Sequence, residues 1–167
     1  MPVNVEYKAR LLDRTQAEAI CDAHAEGPAM VLRQRDTYFR TDDGRLKLRE
    51  ETRDGVPQPD QLITYRRPDD SASRESDYTV ELDVPRPEAP VLVVVEKERR
   101  LSMIGEVRVH VDRVQGLGDC IEFESLVNER QDLEDARDAL RAVLDTFAPV
   151  LGDPIAGSYS DLVTPSA

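Results

Sequence analysis

The amino-acid sequence predicts an α+β fold in which helices pack against one face of a long antiparallel sheet. Two observations support this prediction. About eight segments alternate apolar and polar residues with a period of two, which is typical of strands that bury one face. Two other segments have the period of an amphipathic helix, and each presents an apolar stripe that must be buried. We expect the helices to lie outside the sheet, on the apolar faces of its strands.

The predicted strands alternate clearly enough to assign each side chain to a face. In the first strand, for example, Val5 and Tyr7 alternate with Glu6 and Lys8. Connections rich in Gly, Pro, Ser and Asp separate the strands at residues 52–61, 67–77 and 85–90. The predicted strands in chain order are VNVEYKARLL (3–12), QRDTYFR (34–40), GRLKLREE (44–51), QLITYRRPD (61–69), DYTVELDV (77–84), LVVVEKERRL (92–101), EVRVHVD (106–112) and CIEFESL (120–126).

The two predicted helices lie near the ends of the chain. TQAEAICDAHAEG (15–27) follows an N-cap at Asp13 or Thr15 and ends at Gly27, which precedes a proline. NERQDLEDARDALRAVLDTFAPVLG (128–152) places leucines, alanines, Val143 and Phe147 on one stripe. Both stripes are expected to cover the apolar side of the sheet.

Length and charge limit the classes of function. The chain has 167 residues, enough for one domain over 1–167 with a core of its own. Cys21 and Cys120 lack metal-ligand spacing and are expected to be small buried residues in a reducing, cytoplasmic setting. No segment has the apolar length of a membrane span or signal peptide. The net charge of −12 disfavours nucleic acid and membranes as partners, and the sequence leaves open whether two chains form a homodimer.

The charged strand residues suggest a binding site for an anion. The chain has nineteen arginines but only three lysines, and all three lysines fall on strand faces. Cations at this density favour a polyphosphate between them, and the carboxylates favour Mg²⁺ or Mn²⁺. The cationic candidates are Lys8, Lys47, Arg49, Arg66 or Arg67, Lys97 and Arg99. The acidic candidates are Glu6, Asp112, Glu122 and Glu124.

Two arrangements of the sheet remain open at this point. An antiparallel sheet usually leaves its polar face in solvent, which would make these charges an ordinary surface. If the sheet closes on itself, the same charges meet inside a tunnel. The strand LVVVEKERRL tests the choice, because a tunnel requires Lys97 and Arg99 to be buried while Glu96 and Glu98 face outward. His110 lacks a partner histidine and is expected to be a surface or internally bonded strand residue.

The order of the segments is itself informative. NVEYKARL, QRDTYFRTDDGRLKLRE, LITYRRPD, VEKERR, VRVHVDRVQGLGDCIEFESL and SYSDLV together resemble the CYTH superfamily of triphosphate tunnel metalloenzymes. The similarity is strongest to the class IV adenylate cyclase branch and spans about residues 3 to 163. It implies an eight-stranded antiparallel barrel that forms a tunnel, with helices on the outside and a divalent metal and a triphosphate bound within.

The resemblance also implies roles for individual residues. The family's E-x-E-x-K motif falls on Asn4, Glu6 and Lys8, so a neutral amide replaces the first glutamate. Metal binding is expected of Glu6, Asp112, Glu122 and Glu124, with Asp112 either a ligand or a partner of one. Phosphate binding is expected of Lys8, Lys47, Arg49, Arg66, Lys97 and Arg99. Lys8 is also a candidate general base.

Three functions remain compatible with the sequence. The leading one is a class IV-type adenylate cyclase that converts ATP to cyclic AMP and pyrophosphate. The second is a triphosphatase acting on thiamine triphosphate, inorganic tripolyphosphate or a nucleoside triphosphate. Both reactions use the same electrostatic stabilisation of phosphate oxygens. The third is a non-catalytic module that binds polyphosphate or nucleotide, which the amide at Asn4 favours.

Overall fold

A computed structural model describes residues 3–42, 45–66 and 74–163 of the chain, without the side chains of residues 65, 66 and 74–77. Its strands are β1 (Val3–Leu11), β2 (Met30–Phe39), β3 (Arg45–Arg53), β4 (Val56–Pro57), β5 (Gln61–Arg66), β6 (Arg74–Leu82), β7 (Val91–Ile104), β8 (Val107–Val114), β9 (Gly118–Leu126) and β10 (Leu151–Pro154). The helices are α1 (Arg14–His24) and α2 (Leu133–Phe147), with short 3-10 helices at Ala148–Val150 and Tyr159–Asp161. The predicted α+β class is confirmed.

The strands form one antiparallel sheet whose ends approach each other. The longer strands follow the order β1-β6-β5-β3-β2-β7-β8-β9, and β9 pairs with β1 from Asn4↔Leu126 to Arg10↔Cys120. The short strands β4 and β10 extend the sheet beside β3 and β1. Over the described residues the sheet therefore has ten strands, not the eight expected, because the chain after Arg53 and after Val150 pairs for a few further residues.

Both helices begin at capping aspartates. Asp13 accepts a hydrogen bond from the Gln16 amide at 3.0 Å, and Asp132 accepts one from the Asp135 amide at 2.8 Å. Each cap satisfies an amide that the first helical turn leaves without a partner. The first helix thus begins after Asp13, one of the two caps that the sequence allowed.

The main core lies between the helices and the outward faces of β1, β8 and β9. Phe123 of β9 meets Phe147 of α2 edge to face, with ring centroids 5.3 Å apart. Cys21 is buried with this core, and Cys120 lies in a second cluster around Tyr38 and Val95. Both thiols are free, as expected, and burial raises the pKa of each to about 11. In the described ranges no helix is long and apolar enough to cross a bilayer.

Strand β7 has the alternation that the sequence predicts. Lys97 and Arg99 are only 7% and 4% exposed, on the same side as Val95. Glu96 and Glu98 point the other way and pair with arginines of β2 on the outer surface. Because adjacent side chains of a strand alternate between faces, the buried cations and the exposed carboxylates follow from one register.

Candidate active site

The face of the sheet opposite the helices encloses a cavity of about 260 Å³. Its described lining combines charged, aromatic and apolar side chains from eight strands and from the segment after β10. The charged members are Glu6, Lys8, Lys47, Arg49, Lys97, Arg99, Arg108, Glu122 and Glu124. Eight of the ten residues predicted for the site are therefore brought together around one space.

Three of the cations gather around a single buried carboxylate, Asp36 of β2. Its two oxygens accept hydrogen bonds from Nε and Nη2 of Arg49, each at 2.8 Å, and Oδ2 also accepts one from Lys97 Nζ at 2.7 Å. Lys47 Nζ lies 3.8 Å from the same oxygen. We call Lys47, Arg49 and Lys97 the cationic wall. It forms because Asp36 and Arg49 are directly opposite each other on β2 and β3.

Burial and neighbouring charges set the protonation of Asp36 and of Lys97. Burial alone would raise the pKa of Asp36, but the charges of Arg49 and Lys97 hold it well below its ordinary value. The pKa of Lys97 is lowered to about 8, by burial and by the neighbouring arginines, although Asp36 opposes this change. The cationic wall thus holds more positive charge than its one carboxylate neutralises, which leaves it suited to an anionic ligand.

Arg99 is held by a second buried carboxylate, Asp112 of β8. The two residues face each other in the β7–β8 register, and the guanidinium donates to both Asp112 oxygens at 2.8 Å. Arg99 Nη2 also donates to Glu122 at 3.1 Å, and the Tyr159 hydroxyl donates to Asp112 at 2.7 Å. Asp112 has no exposed surface and, among the described residues, is not one that lines the cavity. Its contacts are those of a partner to Arg99.

The carboxylates Glu6, Glu122 and Glu124 form what we call the acidic corner, where β1 and β9 pair. Glu6 is directly opposite Glu124, and Lys8 is directly opposite Glu122. Lys8 Nζ lies 3.3 Å from Glu122, whose other oxygen is 3.1 Å from the buried ring of His110. Like charges placed opposite each other in a ladder are destabilising. The Glu6–Glu124 pair therefore favours a bound cation.

The two glutamates of β9 have opposite pKa shifts. The pKa of Glu124 is raised to about 7, first by burial and then by the charges of Glu122 and Glu6. Burial also opposes ionisation of Glu122, but Lys8 and Arg99 hold its pKa well below the ordinary value. Lys8 and Arg99 thus outweigh burial at Glu122, whereas Arg108, 3.8 Å from Glu124, does not outweigh burial and the neighbouring carboxylates there.

The acidic corner fits a divalent cation. Ligand atoms of His110, Glu122 and Glu124 all lie within 4.8 Å of one another. Asn4 donates its amide N–H to Glu124 at 3.3 Å, and its buried Oδ1 finds no hydrogen-bond partner among the described residues. Carboxylate and amide oxygens are the ligands that Mg²⁺ prefers, and Mn²⁺ accepts imidazole as well. His110 was expected to be a surface or internally bonded strand residue, and the structure shows it buried and bonded to Glu122. A place beside metal-binding carboxylates was not foreseen for it.

One wall of the cavity is apolar, which the sequence pattern did not indicate. It consists of Ile63 of β5 with Tyr78 and Val80 of β6, and we call it the apolar wall. The pattern had placed Tyr78 and Val80 with the outer apolar faces of the other strands. The register reverses this, because Glu6 and Arg74 are backbone partners in the β1–β6 ladder. Tyr78 and Val80, which lie an even number of residues from that pair, therefore share the inward face of Glu6.

Two expectations concern residues at the edge of the described structure. Arg66 ends β5, where its backbone pairs with Asp77, and its side chain lies outside the described part. Arg67 lies outside it entirely. Phosphate binding by Arg66 therefore stays a prediction. Arg74 and Ser76, which the pattern placed in a loop, belong to β6, which begins at Arg74.

Besides His110 and the apolar wall, the sequence prediction missed Arg108, which lines the cavity, and two residues that hold the cations in place, Asp36 and Tyr159. Asp36 alternates with Gln34 and Tyr38 on the inner face of β2, and its charge amid that strand was the available signal. Tyr159 lies in the segment after β10, for which no strand or helix pattern indicates a position. Its ring lies 4.6 Å from Lys8 Nζ and 5.9 Å from Lys97 Nζ.

Comparison with known proteins identifies the family. The sequence matches the CYTH domain over residues 3–150. This chain belongs to the CYTH domain family. CYTH proteins are generally enzymes that act on triphosphates and depend on divalent metal ions.

Solved structures share the fold at low sequence identity. The PH1012 protein from Pyrococcus horikoshii is 17% identical, with a TM-score of 0.72 over 96% of this chain and 99% of that one. The PH1819 protein from the same organism is 18% identical, with a TM-score of 0.71 over 95% and 97%. A candidate adenylate cyclase from Bacillus halodurans is 16% identical, with a TM-score of 0.59 over 98% and 100%. No curated protein matches the CYTH chain.

Proposed function

We propose that the protein is a divalent-metal-dependent enzyme that acts on a nucleoside or organic triphosphate inside the cavity, as a single cytoplasmic domain of residues 1–167. The observation that supports this is the placement of the cationic wall and the acidic corner around one space. The pairing of β9 with β1 supports a tunnel built from the eight longer strands. A triphosphate with its metal ion is the ligand whose charges complement both sides.

The cations are proposed to bind the phosphates. Lys47, Arg49 and Lys97 would contact oxygens from one side, and Lys8 and Arg99 from the acidic side. Arg66 is proposed to add a further contact. The guanidinium of Arg49 is fixed by two hydrogen bonds to Asp36, so it needs little reordering when negative charge develops on a phosphate oxygen. We assign Asp112 the role of orienting Arg99.

The carboxylates are proposed to hold the metal. Glu6, Glu122 and Glu124 would bind Mg²⁺ or Mn²⁺, with the Asn4 amide oxygen as a neutral fourth group. The ion, when bound, neutralises charge on the phosphate oxygens. Lys8 is held by Glu122 at 3.3 Å and by the Gly157 carbonyl at 3.2 Å. These contacts hold the ammonium group beside the cavity, and we give Lys8 phosphate binding in preference to general-base catalysis.

The proposed reaction is that of a class IV-type adenylate cyclase. The ribose 3′-hydroxyl of ATP would release its proton to water while its oxygen attacks the α-phosphorus, and the bond from that phosphorus to the leaving pyrophosphate oxygen would break. The apolar wall supports an organic substrate over inorganic tripolyphosphate, since it offers an adenosine moiety a surface beside the phosphate-binding cations. Hydrolysis of the terminal phosphate, the triphosphatase reaction, needs the same cations and is the alternative outcome of the test below.

A second candidate is a non-catalytic polyphosphate- or nucleotide-binding module. Asn4 favours it, because an amide replaces a charged ligand at the first position of the motif. Under this hypothesis tripolyphosphate raises the melting temperature of the protein but is recovered unchanged after prolonged incubation with metal.

The proposal is tested by product analysis. Purified protein is incubated with ATP and Mg²⁺ or Mn²⁺, and cyclic AMP, pyrophosphate and orthophosphate are resolved by ion-exchange chromatography. Cyclic AMP with equimolar pyrophosphate establishes the cyclase, and ADP with orthophosphate establishes a triphosphatase. Chelation with EDTA should stop either reaction. Intact ATP and tripolyphosphate after long incubation with both metals would exclude the enzyme.

A further inference from the structure

The chain after β10 crosses the cavity as residues 155–163, which we call the C-terminal strap. At its start the Ile155 amide donates to the Lys8 carbonyl of β1 at 2.9 Å. Further along, Arg45 of β3 donates to Asp161 at 2.8 Å. Two strands, β6 and β5, separate β1 from β3 in the sheet. The strap therefore links two distant strands, and between its anchors Tyr159 and Ser158 line the cavity.

Tyr159 contacts the site more extensively than the rest of the strap. The side chain is 3% exposed, and its hydroxyl donates to Asp112 Oδ2 at 2.7 Å. The same oxygen accepts from Arg99 Nη2 at 2.8 Å. The ring lies 4.6 Å from Lys8 Nζ and 5.9 Å from Lys97 Nζ, within the range of a cation–π interaction. One side chain thus touches two of the site's cations and the carboxylate that holds a third.

The geometry points to Tyr159 as a positioning residue that fixes Arg99, Lys8 and Lys97 for the triphosphate. The inference rests on the proposed function and deepens it. The hydroxyl holds Asp112 in one orientation, and Asp112 in turn sets the plane of the Arg99 guanidinium. The ring occupies the space beside the two ammonium groups, which limits the rotamers that they can adopt. Groups held in this way bind a developing charge without reorganising.

The protonation state of Tyr159 is consistent with this role. Burial raises the pKa of the hydroxyl well above its ordinary value, and the charges of Asp112 and Glu122 raise it further. The phenol therefore keeps its proton and remains a hydrogen-bond donor to Asp112 throughout the physiological range. The family match ends at residue 150, before the strap begins.

The test compares three variants of the full chain. Tyr159→Phe keeps the ring but removes the donor to Asp112, and Tyr159→Leu removes both. Leu162→Ser is the matched control, since Leu162 lies in the strap and is 45% exposed. We expect kcat for the triphosphate to fall about tenfold in Tyr159→Phe and about 100-fold in Tyr159→Leu, with KM within threefold. Leu162→Ser should stay within twofold of wild type in both constants.

The melting temperature and the binding of inorganic tripolyphosphate, measured by calorimetry, separate the outcomes. A graded loss of kcat with Tyr159→Phe still folded at the assay temperature supports positioning. A lower melting temperature with unchanged kcat in Tyr159→Phe would show a structural role only and overturn the inference, while the proposed function stands. A wild-type protein that neither binds tripolyphosphate nor turns over a triphosphate would overturn both.

Discussion

At the residue scale, Asp36 connects the stability of the sheet to the charge of the cavity. It is fully buried and accepts hydrogen bonds from Arg49 and Lys97, with Lys47 nearby. Removing one member of a buried ionic group leaves the others without compensation in a medium of low dielectric constant. A ligand that brings its own negative charge can restore that compensation.

We therefore predict that Asp36→Asn lowers the free energy of unfolding by about 3 to 5 kcal/mol. Saturating tripolyphosphate should recover part of the loss, because its oxygens replace the missing carboxylate among the cations. Urea denaturation with and without tripolyphosphate measures both effects. Asp138→Asn, at an exposed pair on α2, is the control and should change stability by less than about 0.5 kcal/mol. A loss below about 1 kcal/mol in Asp36→Asn would contradict the account.

Glu124 makes stability depend on pH in a predictable direction. Its pKa of about 7 lies above the ordinary value, so the folded state binds a proton more tightly than the unfolded chain does. The stability that this proton contributes is complete below about pH 4.5 and is lost as the pH rises through 7. Without metal, the free energy of unfolding should fall between pH 5 and 8, on the order of 1 to 3 kcal/mol.

The Glu124→Gln variant tests this prediction. It should flatten the pH dependence of the metal-free protein, whereas Glu81→Gln, an exposed change on β6, should not. Saturating Mn²⁺ should abolish the loss in wild type, since the ion binds the deprotonated carboxylate. Identical pH profiles for wild type and Glu124→Gln would count against the acidic corner as a metal site.

At the element scale, β5 and β6 supply the apolar wall of the cavity, while other strands supply its charged residues. Ile63 and Val80 are directly opposite each other in the β5–β6 register, and both line the cavity. Val80 is 43% exposed, so it is available to a ligand. In the sheet, β1, which carries Glu6 of the acidic corner, pairs with β6, and β3, which carries Lys47 and Arg49 of the cationic wall, pairs with β5. An organic group placed on the apolar wall would keep its phosphates within the cavity.

Val80→Ser should therefore weaken the organic substrate selectively. We predict that KM for ATP rises about five- to tenfold, since an apolar contact of roughly 1 kcal/mol is lost, while KM for tripolyphosphate stays within twofold. Steady-state kinetics on both substrates measure the ratio. Leu92→Ser is the control, since Leu92 is 41% exposed on β7 and is not among the described residues that line the cavity. Equal changes for both substrates would argue against a role of the apolar wall.

The elements differ in how far the sequence could predict them. The alternation of β7 correctly places Lys97 and Arg99 inside, because charge and apolarity change sides with every residue. The face of β6 was predicted wrongly, since its apolar pattern is the same whether it borders the core or a ligand cavity. Only the register of β6 with β1 decides whether this apolar face borders the core or the cavity, and register is a property of the folded sheet. The contacts of Asp36 and Tyr159 likewise depend on neighbours far away in sequence.

At the scale of the whole molecule, a protein of net charge −12 holds a cavity rich in cations. The negative outer surface disfavours large polyanions, whereas a small triphosphate can reach the cations directly once inside. A metal ion bound to the triphosphate lowers the net negative charge of the ligand that enters the cavity. This contrast follows from the alternation of the strands, which sends Glu96 and Glu98 outward and the cations of the same strand inward.

The central claim is that the inward-facing charges carry out metal-dependent chemistry on a triphosphate, and a matched pair of variants tests it most directly. Lys47→Met removes a cation of the cavity, whose side chain is 12% exposed, and Arg35→Met removes an outward cation of β2, 56% exposed. The measurement is kcat/KM for triphosphate turnover with saturating Mg²⁺ or Mn²⁺. We predict a fall of about 30-fold or more in Lys47→Met and less than threefold in Arg35→Met. Equal effects of the two substitutions, or no turnover by the wild-type protein, would contradict the claim.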